Sequence, residues 1–273
     1  MSAKKVFSIS AILITKNEAE LIYDCLQSIN WVDEIIVVDS GSTDDTLDIA
    51  QKNGARIYHH HDWHGYGKQR QIAQQYATSD YIFFIDADER ITPELRFSIE
   101  NILSKSTIND KKVYSCARRN LFLGHFMAHS GWYPDKVIRL YANHLYKYND
   151  NSVHESLNYG DAHVVHLHGD LLHFTCCHFS TFQQKQLRYA MEWAKEYNAK
   201  GKRCHYLSIF THTTFAFFKT WILRAGFLDG KHGLLLAFVN AQYTFNKYTE
   251  LWSLNNKNYK QPSKNEVKNH ESN

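Results

Sequence analysis

The stretch Tyr81-Ile82-Phe83-Phe84-Ile85-Asp86-Ala87-Asp88-Glu89 decides how this chain is read. Five apolar residues in a row describe a short strand covered on both faces. Asp86 and Asp88 then flank one small residue at the mouth of that strand. Like charges repel there and desolvation is costly, so a compensating cation is expected. A hard divalent ion, Mg2+ or Mn2+, takes one or two carboxylates together with substrate phosphates in such places. Alone, Asp-x-Asp recurs by chance on any acidic surface. Its place after a buried strand gives it weight.

Upstream, the same alternation of periods recurs. Val6–Ile14 is a β-branched apolar run, and Ala19–Ile29 carries a helical pattern. Glu34–Val38 reads as a buried strand, Asp44–Asn53 as a helix, Arg56–His59 as a strand and Lys68–Ala77 as a helix. Downstream, Pro93–Ser104 reads as a helix with Thr92 as its N-cap. Strands alternating with helices of this length predict an α/β fold, with a mostly parallel sheet and helices on both faces. In such sheets ligands bind beyond the carboxyl ends of the strands. Acidic clusters sit at those ends: Thr15-Lys16-Asn17-Glu18, Asp39-Ser40-Gly41-Ser42-Thr43-Asp44 and Asp86-Ala87-Asp88-Glu89. Asp44 serves equally well as a helix cap. Asp39 follows a buried run and precedes a glycine turn, where a carboxylate accepts hydrogen bonds from a ribose or base.

With 273 residues and 44% hydrophobic composition the chain builds a real core, which excludes a disordered or low-complexity protein. The net charge of +3 hides an asymmetry: residues 1–100 hold 9 basic and 16 acidic groups, and residues 101–273 hold 22 and 12. The acidic front is no nucleic-acid surface, whereas the basic rear suits phosphates or a membrane. Five cysteines without C-x-x-C spacing fit reduced thiols in the cytosol. Met1-Ser2-Ala3-Lys4-Lys5 leads straight into a strand, so no signal peptide is expected. The longest uncharged stretches, Cys204–Phe218 and Gly233–Asn246, fall short of the ~20 apolar residues that cross a bilayer.

The expected organisation is an α/β domain over 1–175, in two halves (1–110 and 111–175). A helical, aromatic-rich region follows over 176–254, then a mobile polar tail over 255–273. In the helical region Lys219, Arg224 and Lys231 alternate with Phe217, Phe218, Trp221, Phe227 and Leu228. Those aromatics either pack as core or rest on an anionic inner leaflet. The tract His59-His60-His61-Asp62-Trp63-His64 is read as a solvated loop, His173 as a satisfied core histidine, and Asp229 as the fixer of a turn between helices.

Thr15-Lys16-Asn17-Glu18, Asp39 to Asp44, Lys68-Gln69-Arg70 and Asp86-Ala87-Asp88 resemble the ordered motifs of family 2 glycosyltransferases with the GT-A fold. The resemblance implies a UDP-sugar donor held by Thr15, Asn17, Glu18, Asp39, Gly41, Lys68, Arg70 and Asp86. It implies a Mg2+ or Mn2+ ion on Asp88, with Asp86 beside it. Gln71 departs from the Asn usual after that Arg. Further motifs are Arg118-Arg119-Asn120, Gly131-Trp132-Tyr133-Pro134-Asp135, Arg139-Leu140-Tyr141, Val153-His154-Glu155 and Gly226-Phe227-Leu228-Asp229-Gly230. They are similar to lipopolysaccharide core glucosyltransferases of the WaaE/KdtX/LgtF type, which add a β-linked glucose to the inner-core heptose.

An inverting transfer of that kind needs a base for the acceptor hydroxyl and charge stabilisation of the departing diphosphate. Glu155 is the first candidate base and Asp135 the second; Trp132, Arg139 and His154 are candidates for holding the acceptor. The expected enzyme is cytoplasmic and peripheral on the inner membrane face, with no nucleic-acid partner. Alternatives are transfer to another surface glycan from UDP-galactose or a UDP-N-acetylhexosamine, and a non-catalytic nucleotide-sugar-binding partner. A nucleotidyltransferase is a third; it would want a basic, glycine-rich loop after the first strand, where this chain is acidic.

Overall fold

The computed structural model describes residues 6–105, 108, 111–150 and 155–256. The expected tail therefore lies almost wholly outside the described residues. The strands and helices of the front third follow the apolar runs closely: β1 (Ile9–Thr15), α1 (Ala19–Ser28), β2 (Glu34–Asp39), α2 (Thr46–Lys52), β3 (Arg56–His59), α3 (Tyr66–Gln74), β4 (Tyr81–Phe84) and α4 (Pro93–Leu103), with a short strand that was not expected, β5 (Glu89–Ile91), before α4. Pro93 opens α4, and the Thr92 hydroxyl accepts the Leu95 N–H at 3.3 Å.

Strands β6 (Lys112–Phe122), β7 (His125–Phe126), β8 (Asp135–Ala142), β9 (Lys147–Tyr148), β10 (Leu157–Asn158) and β11 (His163–Cys176) follow. The sheet order is β3-β2-β1-β4-β8-β6-β11-β5. The pairings from β3 to β4 are parallel, as the βαβ pattern predicts. From β4 onward the sheet is mixed, because β8 pairs antiparallel with both β4 and β6, and β5 pairs antiparallel with β11.

Period-2 alternation explains the continuous apolar runs. Ile9, Ala11 and Leu13 point to one face with Tyr81 and Phe83, where Ile22 and Leu26 of α1 and Leu95 and Ile99 of α4 cover them. Ile12, Ile36, Val38, Ile82 and Phe84 point to the other, with Ala73 of α3 and Tyr141 of β8. With both faces buried, the polar loops collect at the strand ends.

The chain divides into two compact units. Among the described residues a sheet unit lies within 6–121 and 133–175, and a helical unit within 122–132 and 176–256. The helical unit contains α5 (Phe179–Ala199), α6 (Tyr206–Phe218), a π-helical turn (Lys219–Leu223), a 3-10 turn (Gly226–Asp229) and α7 (Gly230–Asn255). Asp229 does fix the turn before α7: its buried carboxylate accepts the N–H groups of Ala128 and His129 and the Ser130 hydroxyl, all at 3.0–3.1 Å. All five cysteines are free, four of them buried.

Candidate active site

Two loops at the carboxyl ends of β1 and β2 are laced into one rim. The Asn17 N–H donates to Ser42 Oγ at 2.9 Å, and Asn17 Oδ1 accepts the Thr43 N–H at 2.8 Å. Glu18 N–H donates to Thr46 Oγ1 at 2.8 Å, and Ala19 N–H to Asp44 at 3.1 Å. Asn17 takes a positive φ of 56°, a conformation its short side chain tolerates. Asp39 is buried, and its carboxylate accepts the N–H groups of Gly41 and Ser42. It thereby holds the glycine turn, with Gly41 at φ 96°. Thr15 Oγ1, Gln69 Oε1 and His60 Nδ1 are buried at this end of the sheet with no protein partner. Lys68 stays exposed on α3, beside Gln71.

Beyond β4 the charges form a single string of alternating sign. Glu155 meets Arg70 at 3.3 Å, Arg70 meets Asp86 at 2.9 Å, and Asp86 meets Arg139 at 2.7 Å. Arg139 meets Glu89 at 2.5 Å, Glu89 meets Arg118 at 3.6 Å, and Arg118 meets Asp135 at 2.6 Å. Both candidate bases are therefore the ends of this string, with side chains 20% exposed for Glu155 and 36% for Asp135. Its middle is buried: the side chains of Arg70 and Arg139 are 5–6% exposed and that of Glu89 is closed off from solvent. Burial works against ionised Asp86, but Arg139 and Arg70 outweigh it and hold the carboxyl well below its usual range. For Glu89 burial prevails and the pKa is raised.

Arg70 also lies over the rings of Phe84 and Tyr148, 5.2 and 5.4 Å from their centroids. Its Nη1 is buried without a protein partner. Gln71, the departure from the family pattern, donates to the Tyr148 carbonyl at 2.7 Å and to Asp150 at 2.8 Å, tying α3 to β9.

Asp88 lies outside the string and faces His173 of β11. His173 Nε2 is 3.2 Å from Asp88 Oδ2, while Nδ1 is 2.6 Å from Asn120 Oδ1. Nδ1 also lies 2.9 Å from Thr175 Oγ1, so the ring is held between Asn120 and Thr175 on one side and Asp88 on the other. Among the described residues no three His, Cys, Asp or Glu side chains converge on one point. One carboxylate oxygen and one imidazole nitrogen nevertheless suit a divalent ion that completes its shell with substrate phosphates.

The structure thus brings together Arg70, Asp86, Arg139, Glu155 and Asp135, and sets Asp88 with His173. Asp86 has both oxygens engaged by guanidinium groups, and Arg139 is drawn into the carboxylates instead of standing exposed. Trp132 belongs to the helical unit, edge-on to Phe122 and Phe182 at 5.6 and 6.0 Å. His154 lies outside the described residues. The sequence places Glu89 in an acidic cluster and Arg118 in a motif without giving either a role, and His173 is expected to be a satisfied core histidine. An acidic residue directly after Asp-x-Asp was the available signal for Glu89. For His173 the local neighbour Thr175 gives no hint of the site, because Asn120 and Asp88 are 53 and 85 residues away.

The family model described as Glycosyl transferase family 2 matches residues 10–185. The chain is similar to an uncharacterized glycosyltransferase of Rickettsia felis, 32% identical over 258 residues and 89% of each chain. It is similar also to the lipopolysaccharide core biosynthesis glycosyltransferase LpsC of Rhizobium meliloti, 30% identical over 88% of this chain and 93% of that one. Among solved structures it is similar to glucosyl-3-phosphoglycerate synthase from Mycobacterium tuberculosis, in complex with Mn2+, UDP and glucosyl-3-phosphoglycerate. There the identity is 27%, the TM-score 0.34, and the match covers 42% of this chain and 44% of that one. The chain belongs to glycosyl transferase family 2.

Proposed function

We propose that this family 2 glycosyltransferase is an inverting enzyme that moves glucose from UDP-glucose onto a heptose of the lipopolysaccharide inner core, as the WaaE/KdtX/LgtF type does. The charge string with Asp88 and His173 at the carboxyl ends of the parallel strands carries this reading. The name of the relative LpsC supports the acceptor class. The work would be done in the cytoplasm, at the inner membrane face where such acceptors are made.

In this reading the rim of Thr15, Asn17, Glu18, Asp39 and Gly41 receives the nucleoside, and the unpartnered buried atoms of Thr15, Gln69 and His60 complete its hydrogen bonding. Lys68 and the spare Nη1 of Arg70 turn to the diphosphate. Asp88 and His173 would hold Mg2+ or Mn2+, which neutralises charge on the departing UDP. The acceptor hydroxyl attacks the anomeric carbon from the face opposite the diphosphate. Its oxygen bonds to that carbon as the bond to the diphosphate oxygen breaks, and its proton passes to Glu155, with Asp135 as the other candidate. Arg70 and Arg118 hold these two carboxylates in place. Trp132, His154 and Arg139 are proposed for the acceptor side, Arg139 through its hold on Asp86 and Glu89.

UDP release tests this reading, using a panel of UDP-sugars, Mn2+ or Mg2+, and truncated inner-core lipopolysaccharide. Release from UDP-glucose, boosted by acceptor and reduced at least about a hundredfold by Asp88→Ala or a chelator, is expected. Release from UDP-galactose or a UDP-N-acetylhexosamine instead would reassign the donor. Tight UDP binding without release from any sugar would make the protein a binding partner, not an enzyme.

A further inference from the structure

The helical unit carries a surface that the transfer chemistry does not use. Between Cys204 and Thr249 the chain holds a single carboxylate, Asp229, and that one is buried. In the same stretch twelve large apolar side chains are more than 40% exposed. That is far beyond the scattered exposure of a soluble surface and marks a contact face.

The face is densest at residues 218–228. Helix α6 ends in a π-helical turn, Lys219–Leu223, and Ala225 then reverses the chain at φ 52° before the 3-10 turn. The wide turn leaves consecutive Ile222 and Leu223 turned outward, 52% and 70% exposed. Phe227 and Leu228 follow at 51% and 60%. Ring contacts extend the patch to α7, from Phe218 to Phe217 at 5.5 Å and from Phe217 to Phe238 at 4.8 Å. Phe238 is itself 59% exposed. Lys219, Arg224 and Lys231 are exposed among these residues, with no exposed carboxylate to answer them.

The charge selects the occupant. A second copy would bring the same cations to the same patch. Residues 257–273 have only Tyr259, Pro262 and Val267 as apolar side chains, too few to cover it. No helix among the described residues is long and apolar enough to cross a membrane.

We propose that this face lies on an anionic phospholipid surface. Ile222, Leu223, Phe227, Leu228 and Phe238 enter the interfacial layer, and Lys219, Arg224 and Lys231 meet the lipid phosphates. The inference deepens the proposed function and rests on it at one point, that the acceptor is lipid-linked.

The test is co-sedimentation of the full chain with vesicles of phosphatidylcholine alone and of phosphatidylcholine with phosphatidylglycerol. Binding to the anionic vesicles, weakened by salt and nearly absent with the neutral ones, is expected. The paired substitution Leu223→Asp and Leu228→Asp, at exposed sites, should abolish binding with an unchanged thermal midpoint. Lys219→Gln and Lys231→Gln should each weaken it about fivefold. A chain that stays in the supernatant with anionic vesicles overturns the proposal, as does a Leu223→Asp, Leu228→Asp variant that binds like the parent. A concentration-dependent dimer in sedimentation velocity, lost in that variant and seen without vesicle binding, would assign the face to a second copy. UDP release with a delipidated acceptor keeps the two readings apart. Transfer without vesicle binding sinks only the membrane face, and vesicle binding without any transfer sinks only the enzyme.

Discussion

In the sheet unit Arg70, Arg139 and Glu89 are 4%, 5% and 0% exposed, while in the helical unit Leu207, Leu223 and Leu228 stand 73%, 70% and 60% exposed. One unit puts charge inside and the other puts apolar surface outside, and each departs from the ordinary rule in a different direction. Buried ions are tolerated in the first because each finds a counterion within hydrogen-bond reach and a sheet to hold it there. Helices of the second need no such accounting. Their interior is aromatic, with Phe122, Phe182 and Trp132 edge-on to one another and Trp193 stacked on Tyr197 at 4.0 Å. A site that must place charges to a fraction of an ångström is built on strands. A face that meets an interchangeable surface can be built from helix ends and turns.

The contrast can be broken most sharply at Arg139. Arg139→Ala leaves Asp86 without one of its two guanidinium partners and Glu89 without its nearest one, so a loss of about 3–5 kcal/mol is expected. Hydrogen exchange should report it in β4, β5 and β8 and spare α5 and α7. Equal loss of protection in both units would show that they do not melt separately.

Gly233→Ala is the counterpart in the helical unit. An added Cβ there would stand 1.9 Å from the Gly226 carbonyl oxygen, which is backbone and cannot step aside cheaply. A cost of about 1–3 kcal/mol or more is expected, read as lost protection in α7 with the sheet unchanged. A variant as stable as the parent would mean that the 3-10 turn and α7 are less tightly joined than their geometry implies.

Acid should sharpen the comparison with a smaller effect. Burial, His125 and Lys231 lower the His232 pKa below its ordinary 6.5, so the stability it contributes is present above that pH and declines as pH falls below it. Asp86 is depressed from 3.8, so its contribution is complete above that value and is lost only as pH falls further. Near-ultraviolet and exchange signals should therefore weaken first in the helical unit and in the sheet unit only in stronger acid. The reverse order would contradict the assigned directions.

The front third was legible because its strands are covered on both faces and so read as unbroken apolar runs, closed by residues such as Gly41 and Thr92 whose types suit turns and caps. The rim was legible for the same reason, since Asp39 follows directly on one run and Asn17 lies in the short polar stretch that closes another. What joins distant segments was not. Arg139 pairs with Asp86 across 53 residues, and Asp229 holds Ala128 across 101. Neither local period nor turn chemistry encodes such a register. The aromatic residues after 180 gave no means of separating those that pack, such as Phe182, from those that stay exposed, such as Phe227, because both lie in segments of similar composition.

The string from Glu155 to Asp135 has a consequence for genetics at this site. An inner link of alternating sign serves two partners: remove it and both neighbours lose one together. Random mutagenesis would therefore score every link as essential, including those that never approach a substrate. Selection, in turn, would find it easier to replace adjacent links in pairs than singly. Substitutions that keep the sign and shorten the arm, such as Glu89→Asp, are the ones that separate a link's charge from its reach.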